Sequence, residues 1–184
     1  QAARNILEYM GPNDRFGVAS LGGIMQKLTN DKQVLTAAIN RTGSGSSDYL
    51  DGILRVVNNM FDEASEGRDK YILLLADGEC ELSRLESAIA AACDNNVRVI
   101  VFQMNGGNIY YYGYAMQEVA VRTKGYWMLS IDPNEIASAM TRFADEVYNN
   151  AGNDVVFTTT VTDKSYLDTA NMAVAPDAVT ENAD

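Results

Sequence analysis

Three stretches of this 184-residue chain carry side chains whose types and spacing could do chemistry. Asp77-Gly78 closes the apolar run Tyr71 to Ala76 (YILLLA), so a carboxylate stands at the end of a fully buried strand. In an open parallel sheet that is where ligands bind, although Asp-Gly is also strong turn chemistry in its own right. Gly43-Ser44-Gly45-Ser46-Ser47-Asp48 precedes an amphipathic helix and belongs to the same rim. As a phosphate cradle it is poor: it has no P-loop lysine, and Asp48 and Asp51 repel an anion at the helix start. A serine hydroxyl from this loop together with Asp77 would instead supply oxygen ligands for Mg²⁺ or Mn²⁺. The competing reading is plain helix capping by Ser46, Ser47 or Asp48. The third stretch, residues 105–114, reads as a loop with Tyr110, Tyr111, Tyr112 and Tyr114 set among glycines. Tyrosine favours recognition surfaces, but these rings could equally pack down over helix ends. With Glu79, Ser46 and Asp48, the residues Tyr110, Tyr111 and Tyr112 are candidate ligand contacts. Asp132 reads as a helix cap.

Much chemistry is excluded at once. The chain has no histidine, which removes Ser-His-Asp and Cys-His catalysis, His-ligated zinc and histidine pH switching. A net charge of −11 repels phosphate backbones and anionic lipid, so nucleic acid and membrane surfaces are poor partners. No apolar run reaches the ~20 residues of a membrane span. Cys80 and Cys93 bracket one helix and would lie about 18 Å apart along it, too far for a disulfide. The opening Gln1-Ala2-Ala3-Arg4 resembles no signal peptide and enters helical periodicity without a cap, as expected of a fragment or processed chain.

Short apolar runs alternating with amphipathic helices must position these groups. Strands are expected at Phe16–Leu21, Ile24–Leu28 as a hairpin edge, Tyr71–Ala76, Val97–Met104 and Gly125–Ser130. Helices are expected around Ala3–Met10, Val34–Ile39, Asp48–Ala64, Leu85–Cys93, Met116–Ala120 and Pro133–Val147, the last opened by Asp132-Pro133-Asn134-Glu135. That alternation predicts an α/β fold with a mostly parallel, doubly wound sheet covered by helices on both faces. It extends over residues 1–150. Residues 151–184, with β-branched Val155–Thr162 and five acids, read as the start of a β-rich module or a linker.

The succession of segments resembles a von Willebrand factor A-type domain through most of residues 1–148. AARNILEYMGPNDRFGVASL resembles the family's first helix, turn and second strand. SGSSDYLDGIL resembles its threonine-containing loop and following helix, YILLLADGE the strand ending in Asp-Gly, and VRVIVFQM the next strand. The resemblance implies a metal-ion-dependent adhesion site, with Ser47 at the loop threonine position and Asp77 at the later aspartate. Ser keeps the hydroxyl, while Ala76 stands where the family usually has Thr. The family's first strand, carrying Asp-x-Ser-x-Ser, has no counterpart ahead of Gln1. It would lie centrally in the sheet, so its absence predicts two unpaired buried edges and the loss of most metal ligands. The expectation is therefore Mg²⁺ or Mn²⁺ binding in the complete domain, weak or absent in this chain.

The function these observations favour is non-enzymatic, cation-assisted binding of a protein ligand that presents an acidic group, in a surface or secreted protein. The tail VVFTTTVTDKSYLD resembles segments after such domains in bacterial surface and pilus-type adhesins, which favours an extracellular or cell-surface location. One rival is a Mg²⁺-dependent phosphoryl-transfer or receiver-like domain with Asp77 as acceptor, for which Lys124 lies at the wrong end of the sheet. The other is a metal-free scaffold that binds through its tyrosine loop.

Overall fold

The computed structural model describes residues 2–20, 23–42, 48–78, 80–104, 109–130, 132–147 and 154–160. Helix α1 (Ala2–Tyr9) buries Ala3, Ile6 and Leu7. It turns at Gly11, whose N–H donates to Oδ2 of the buried Asp14 at 2.8 Å, and feeds strand β1 (Arg15–Ser20). Strand β2 (Gly23–Thr29) returns antiparallel along β1 and forms one edge. Helix α2 (Lys32–Arg41) is capped by Asp31, and α3 (Tyr49–Asn59) by Asp48. Strand β3 (Lys70–Ala76), helix α4 (Leu85–Asp94), strand β4 (Val97–Met104), helix α5 (Ile109–Arg122), strand β5 (Tyr126–Ser130) and helix α6 (Pro133–Val147) follow in alternation. Strand β6 (Asp154–Thr160) closes the series.

The six strands lie in the order β2-β1-β6-β3-β4-β5, all parallel except β2. Two cores result, because successive side chains point to opposite faces. Leu73, Leu75, Phe102 and Val155 pack against α1, α2 and α6. Ile72, Leu74, Val99, Val101 and Val156 pack against α3, α4 and α5. Near-continuous burial along β3 and β4 is what a parallel strand covered on both sides requires. At the start of β5 the approach is tight enough to demand glycine: a Cβ on Gly125 would fall 2.0 Å from the Val99 carbonyl oxygen.

The expected α/β class holds, with three corrections in detail. The helix expected to run to Ala64 stops at Asn59, and Glu63–Ser65 form a separate 3-10 turn. There Asp62 turns to meet Arg15 at 3.1 Å. Residues 109–114, read as a tyrosine loop, already belong to α5, whose buried stripe Ala115, Met116, Val119 and Ala120 draws the preceding residues into the same helix.

The largest correction concerns β6. Sequence reading put it beyond the sheet, past a boundary at 150, and left two central edges unpaired. Instead it lies between β1 and β3, in parallel register with both: Val156 faces Gly17 on one side and Ile72 on the other. Burial drives this placement. Val155 and Val156 are each fully enclosed, one in each core, and the strand supplies the ladder partners that β1 and β3 otherwise lack.

An ion cluster fixes the start of β6. Asp154 is completely buried and accepts from Arg15 Nε at 3.0 Å and Nη2 at 2.6 Å, and from Arg68 Nε at 2.6 Å. Arg15 also reaches Ser65 Oγ at 2.9 Å, and Arg68 donates to the Asn13 carbonyl. The hydrogen bond to Asp154 raises the Arg15 pKa against the opposing effect of burial. One carboxylate thereby ties the α1–β1 turn to the segment between α3 and β3.

Candidate functional site

Chain direction alone places the candidate groups. Helix α3 leads through residues 60–69 into the start of β3, so its N-terminus lies at the end where β3 finishes. Asp77, half-buried, is the first residue after β3. The following Gly78 has φ +115°, a left-handed region that glycine adopts without strain, and it turns the chain away from the sheet. The start of α3 and the carboxylate of Asp77 therefore share the rim to which β1, β3, β4, β5 and β6 all point their C-terminal ends.

Asp48 does two things at this rim. Its Oδ1 accepts from the Leu50 N–H at 2.9 Å, an N-cap, so the capping reading of this loop applies to Asp48 itself. Its Oδ2 is buried, makes no hydrogen bond, and lies 3.6 Å from Arg84 Nε. Arg84 is also held by Asp51 Oδ1 at 2.5 Å and by Glu81 Oε2 at 3.2 Å. The guanidinium thus gathers the first turn of α3 and the segment after β3 into one charged cluster. Sequence reading missed it, yet a signal was available: Arg84 is the sole basic residue between Asp77 and Asp94.

Beneath this cluster lies Tyr49, wholly enclosed, whose hydroxyl makes no conventional hydrogen bond and abuts the thiol of Cys80. Burial pushes the Tyr49 pKa far up. Burial likewise raises the Cys80 thiol, only partly opposed by the Tyr49 hydroxyl, so this cysteine is not activated as a nucleophile. Cys80 and Cys93 are both free thiols, as their expected separation requires.

Of the residues picked from the sequence, Asp48 and Asp77 are brought to one rim. Ser46, Ser47 and Glu79 lie outside the described residues. Tyr110, Tyr111 and Tyr112 occupy the first turn of α5, which begins at the same rim because α5 follows β4. Tyr114, one turn further on, is 63% exposed. Asp132 is a cap as expected, with Oδ1 accepting from the Asn134 N–H at 2.8 Å. Lys124 stands at the opposite end of the sheet, before β5.

For a cation, the donors fit in kind and fall short in number. Asp77 and Asp48 Oδ2 are hard oxygens of the type Mg²⁺ takes. Among the described residues, however, no group of three or more Asp, Glu, Cys or His side chains could hold a metal ion. Arg84 already supplies positive charge next to Asp48.

Comparison with known proteins adds family evidence. The von Willebrand factor type A domain family matches residues 2–120. Among solved structures, the conserved hypothetical protein BatB from Bacteroides thetaiotaomicron is 18% identical, with a TM-score of 0.60 over 81% of this chain and 86% of that one. A von Willebrand factor type A protein from Catenulispora acidiphila is 17% identical, with a TM-score of 0.63 over 78% of this chain and 36% of that one. At such identities these structures speak for the fold alone. No curated protein matches the chain.

Proposed function

The chain belongs to the von Willebrand factor type A domain family, and from that premise we propose that it is a non-enzymatic, adhesion-type module that binds a protein ligand at the rim of Asp77 and α3. Domains of this family are generally interaction modules. What supports the reading is topology: β3, followed by Asp77, ends at the same C-terminal rim of a parallel sheet at which α3 begins, and the serine-rich segment 43–47 directly precedes α3 in sequence. Ser47 and Asp77 would hold Mg²⁺ or Mn²⁺ there, and the ion would supply the positive charge that takes an acidic group of the ligand. The chain's own part is to keep these oxygens on a rigid scaffold, with Asp48 fixing the helix start and Gly78 turning the chain clear of the rim. The proposed setting is a surface or secreted protein. No helix among the described residues is long and apolar enough to cross a membrane.

Isothermal titration of the chain with Mg²⁺ or Mn²⁺ tests the cation assignment. The short donor set predicts binding weaker than micromolar that disappears in Asp77→Ala. Micromolar binding by the chain, or weak binding untouched by Asp77→Ala, would place the ion elsewhere.

A further inference from the structure

Arg84 stands where the rim gathers its negative charge. A single 3-10 turn, Leu82–Arg84, brings it there, with the Arg84 N–H donating to the Glu81 carbonyl at 3.0 Å. Glu81 orients the guanidinium, since its carboxylate accepts from Ser83 Oγ at 2.9 Å and from Arg84 Nε at 3.2 Å. From there the side chain reaches across to α3. Nη1 meets Asp51 Oδ1 at 2.5 Å, and Nε lies 3.6 Å from the buried Asp48 Oδ2. Three carboxylates from two segments thus share one cation. Asp48 directly follows Ser47, the hydroxyl assigned to the ion.

We infer that Arg84 is an internal counter-cation that competes with the divalent ion at this rim and holds the ion's affinity down, an inference that rests on the reading of Ser47 and Asp77 as ion ligands. A guanidinium cannot shed its proton. An ion entering beside Asp48 therefore meets a fixed positive charge that already draws on the same carboxylates, and the two cations repel. The acids are also spread for a planar guanidinium rather than gathered on one point, with Asp51 on Nη1 and Glu81 and Asp48 on the Nε side. That spread agrees with the lack, among the described residues, of three acids able to hold a metal together. The hold is one that an ion can loosen. Arg84 is 42% exposed, as are Asp51 and Glu81 in large part, and pairs so exposed are weak. When Arg84 swings away, Asp51 keeps Arg55 at 2.6 Å and Glu81 keeps Ser83. Of the three acids, Asp48 is the most enclosed, at 17%, and it is left with the largest unbalanced charge. Release of Arg84 thus concentrates negative charge beside Ser47, where the ion enters.

Calorimetric titration of the full chain with Mn²⁺ provides the test, in wild type, Arg84→Met, Arg84→Lys, and Arg84→Met combined with Asp77→Ala. Methionine keeps much of the apolar stem and removes the charge. One unit charge within a few ångströms of a divalent ion near a protein surface changes affinity by about tenfold or more. Arg84→Met should therefore bind Mn²⁺ at least about tenfold more tightly than wild type. Arg84→Lys, which keeps the charge, should stay close to wild type, and the combined variant should lose the gain. Equal or weaker binding by Arg84→Met overturns the inference; where Asp77→Ala abolishes that binding, the reading of the rim as an ion site still stands. A gain in Arg84→Lys as large as in Arg84→Met overturns it too, because charge is then not the cause. So does a gain that survives Asp77→Ala, which puts the ion apart from the rim carboxylate. Absence of Mn²⁺ binding in all the variants overturns both the inference and the ion site.

Discussion

Replacing Asp154 by alanine should be among the most damaging single changes at the base of the sheet. The carboxylate is completely buried and accepts three hydrogen bonds, at 3.0, 2.6 and 2.6 Å, from two arginines. Removing one partner of a buried ion pair costs about 3–5 kcal/mol, because the remaining charge is left enclosed without compensation. The lower end applies here. Both arginine side chains keep 21% exposure, Arg15 retains Asp62 and Ser65, and Arg68 retains the Asn13 carbonyl. A loss of about 3 kcal/mol in a chain of this size lowers the melting temperature by roughly 6–12 °C. In urea the midpoint should fall with the slope unchanged. Asp62→Ala is the internal control: it removes a partner of the same Arg15, but its side chain is 60% exposed, and such pairs are worth about 0–1 kcal/mol. If the two variants agree within about 0.5 kcal/mol, Asp154 does not anchor the central strand and the account given of the ion cluster is wrong.

Two further outcomes follow from the same structure. Gly125→Ala forces a methyl to within 2.0 Å of the Val99 carbonyl oxygen. Because that neighbour is backbone, the substitution should cost at least the ~1–3 kcal/mol typical of overpacking, read as an earlier urea midpoint, whereas Gly52→Ala, with open space around its Cβ position, should be neutral or better. Acidification should also destabilise the fold. Asp62 and Glu86 titrate below their ordinary values, chiefly through hydrogen bonds from Arg15 and Arg122. A lowered folded pKa gives stability that is fully present above the unfolded value and is lost as pH falls through the folded one. Urea midpoints should therefore hold from pH 7 to about 5 and drop below about pH 4, less steeply in Asp62→Asn with Glu86→Gln. Parallel pH profiles for variant and wild type would discount both groups.

Local pattern made most elements legible. The long apolar runs Tyr71–Ala76 of β3 and Val99–Phe102 of β4 and the stripe Leu50, Ile53, Val57 of α3 announce parallel strands covered by helices. The rim followed from topology, since Asp77 closes a strand and must lie where parallel strands end. What escaped was non-local. Nothing within Asp154–Thr160 says which strands it will join, because its partners Phe16 and Tyr71 lie far back in the sequence. Only the fold shows that Arg15 and Arg68, each next to an acid in sequence, both reach the distant Asp154. The tyrosine run misled because glycine and tyrosine suggest a loop, while the burial of Ala115 and Met116 extends a helix through it.

The position of β6 also governs how the domain answers to force. Helix α1 runs opposite to β1, so the chain enters the fold at the rim where β6 ends, and both terminal elements of the described domain face the same way. Tension between two points at one rim acts across that rim and peels β6 from its Thr160 end, rung by rung on both flanks. The Asp154 clamp, at the far end, is then the last hold to give way.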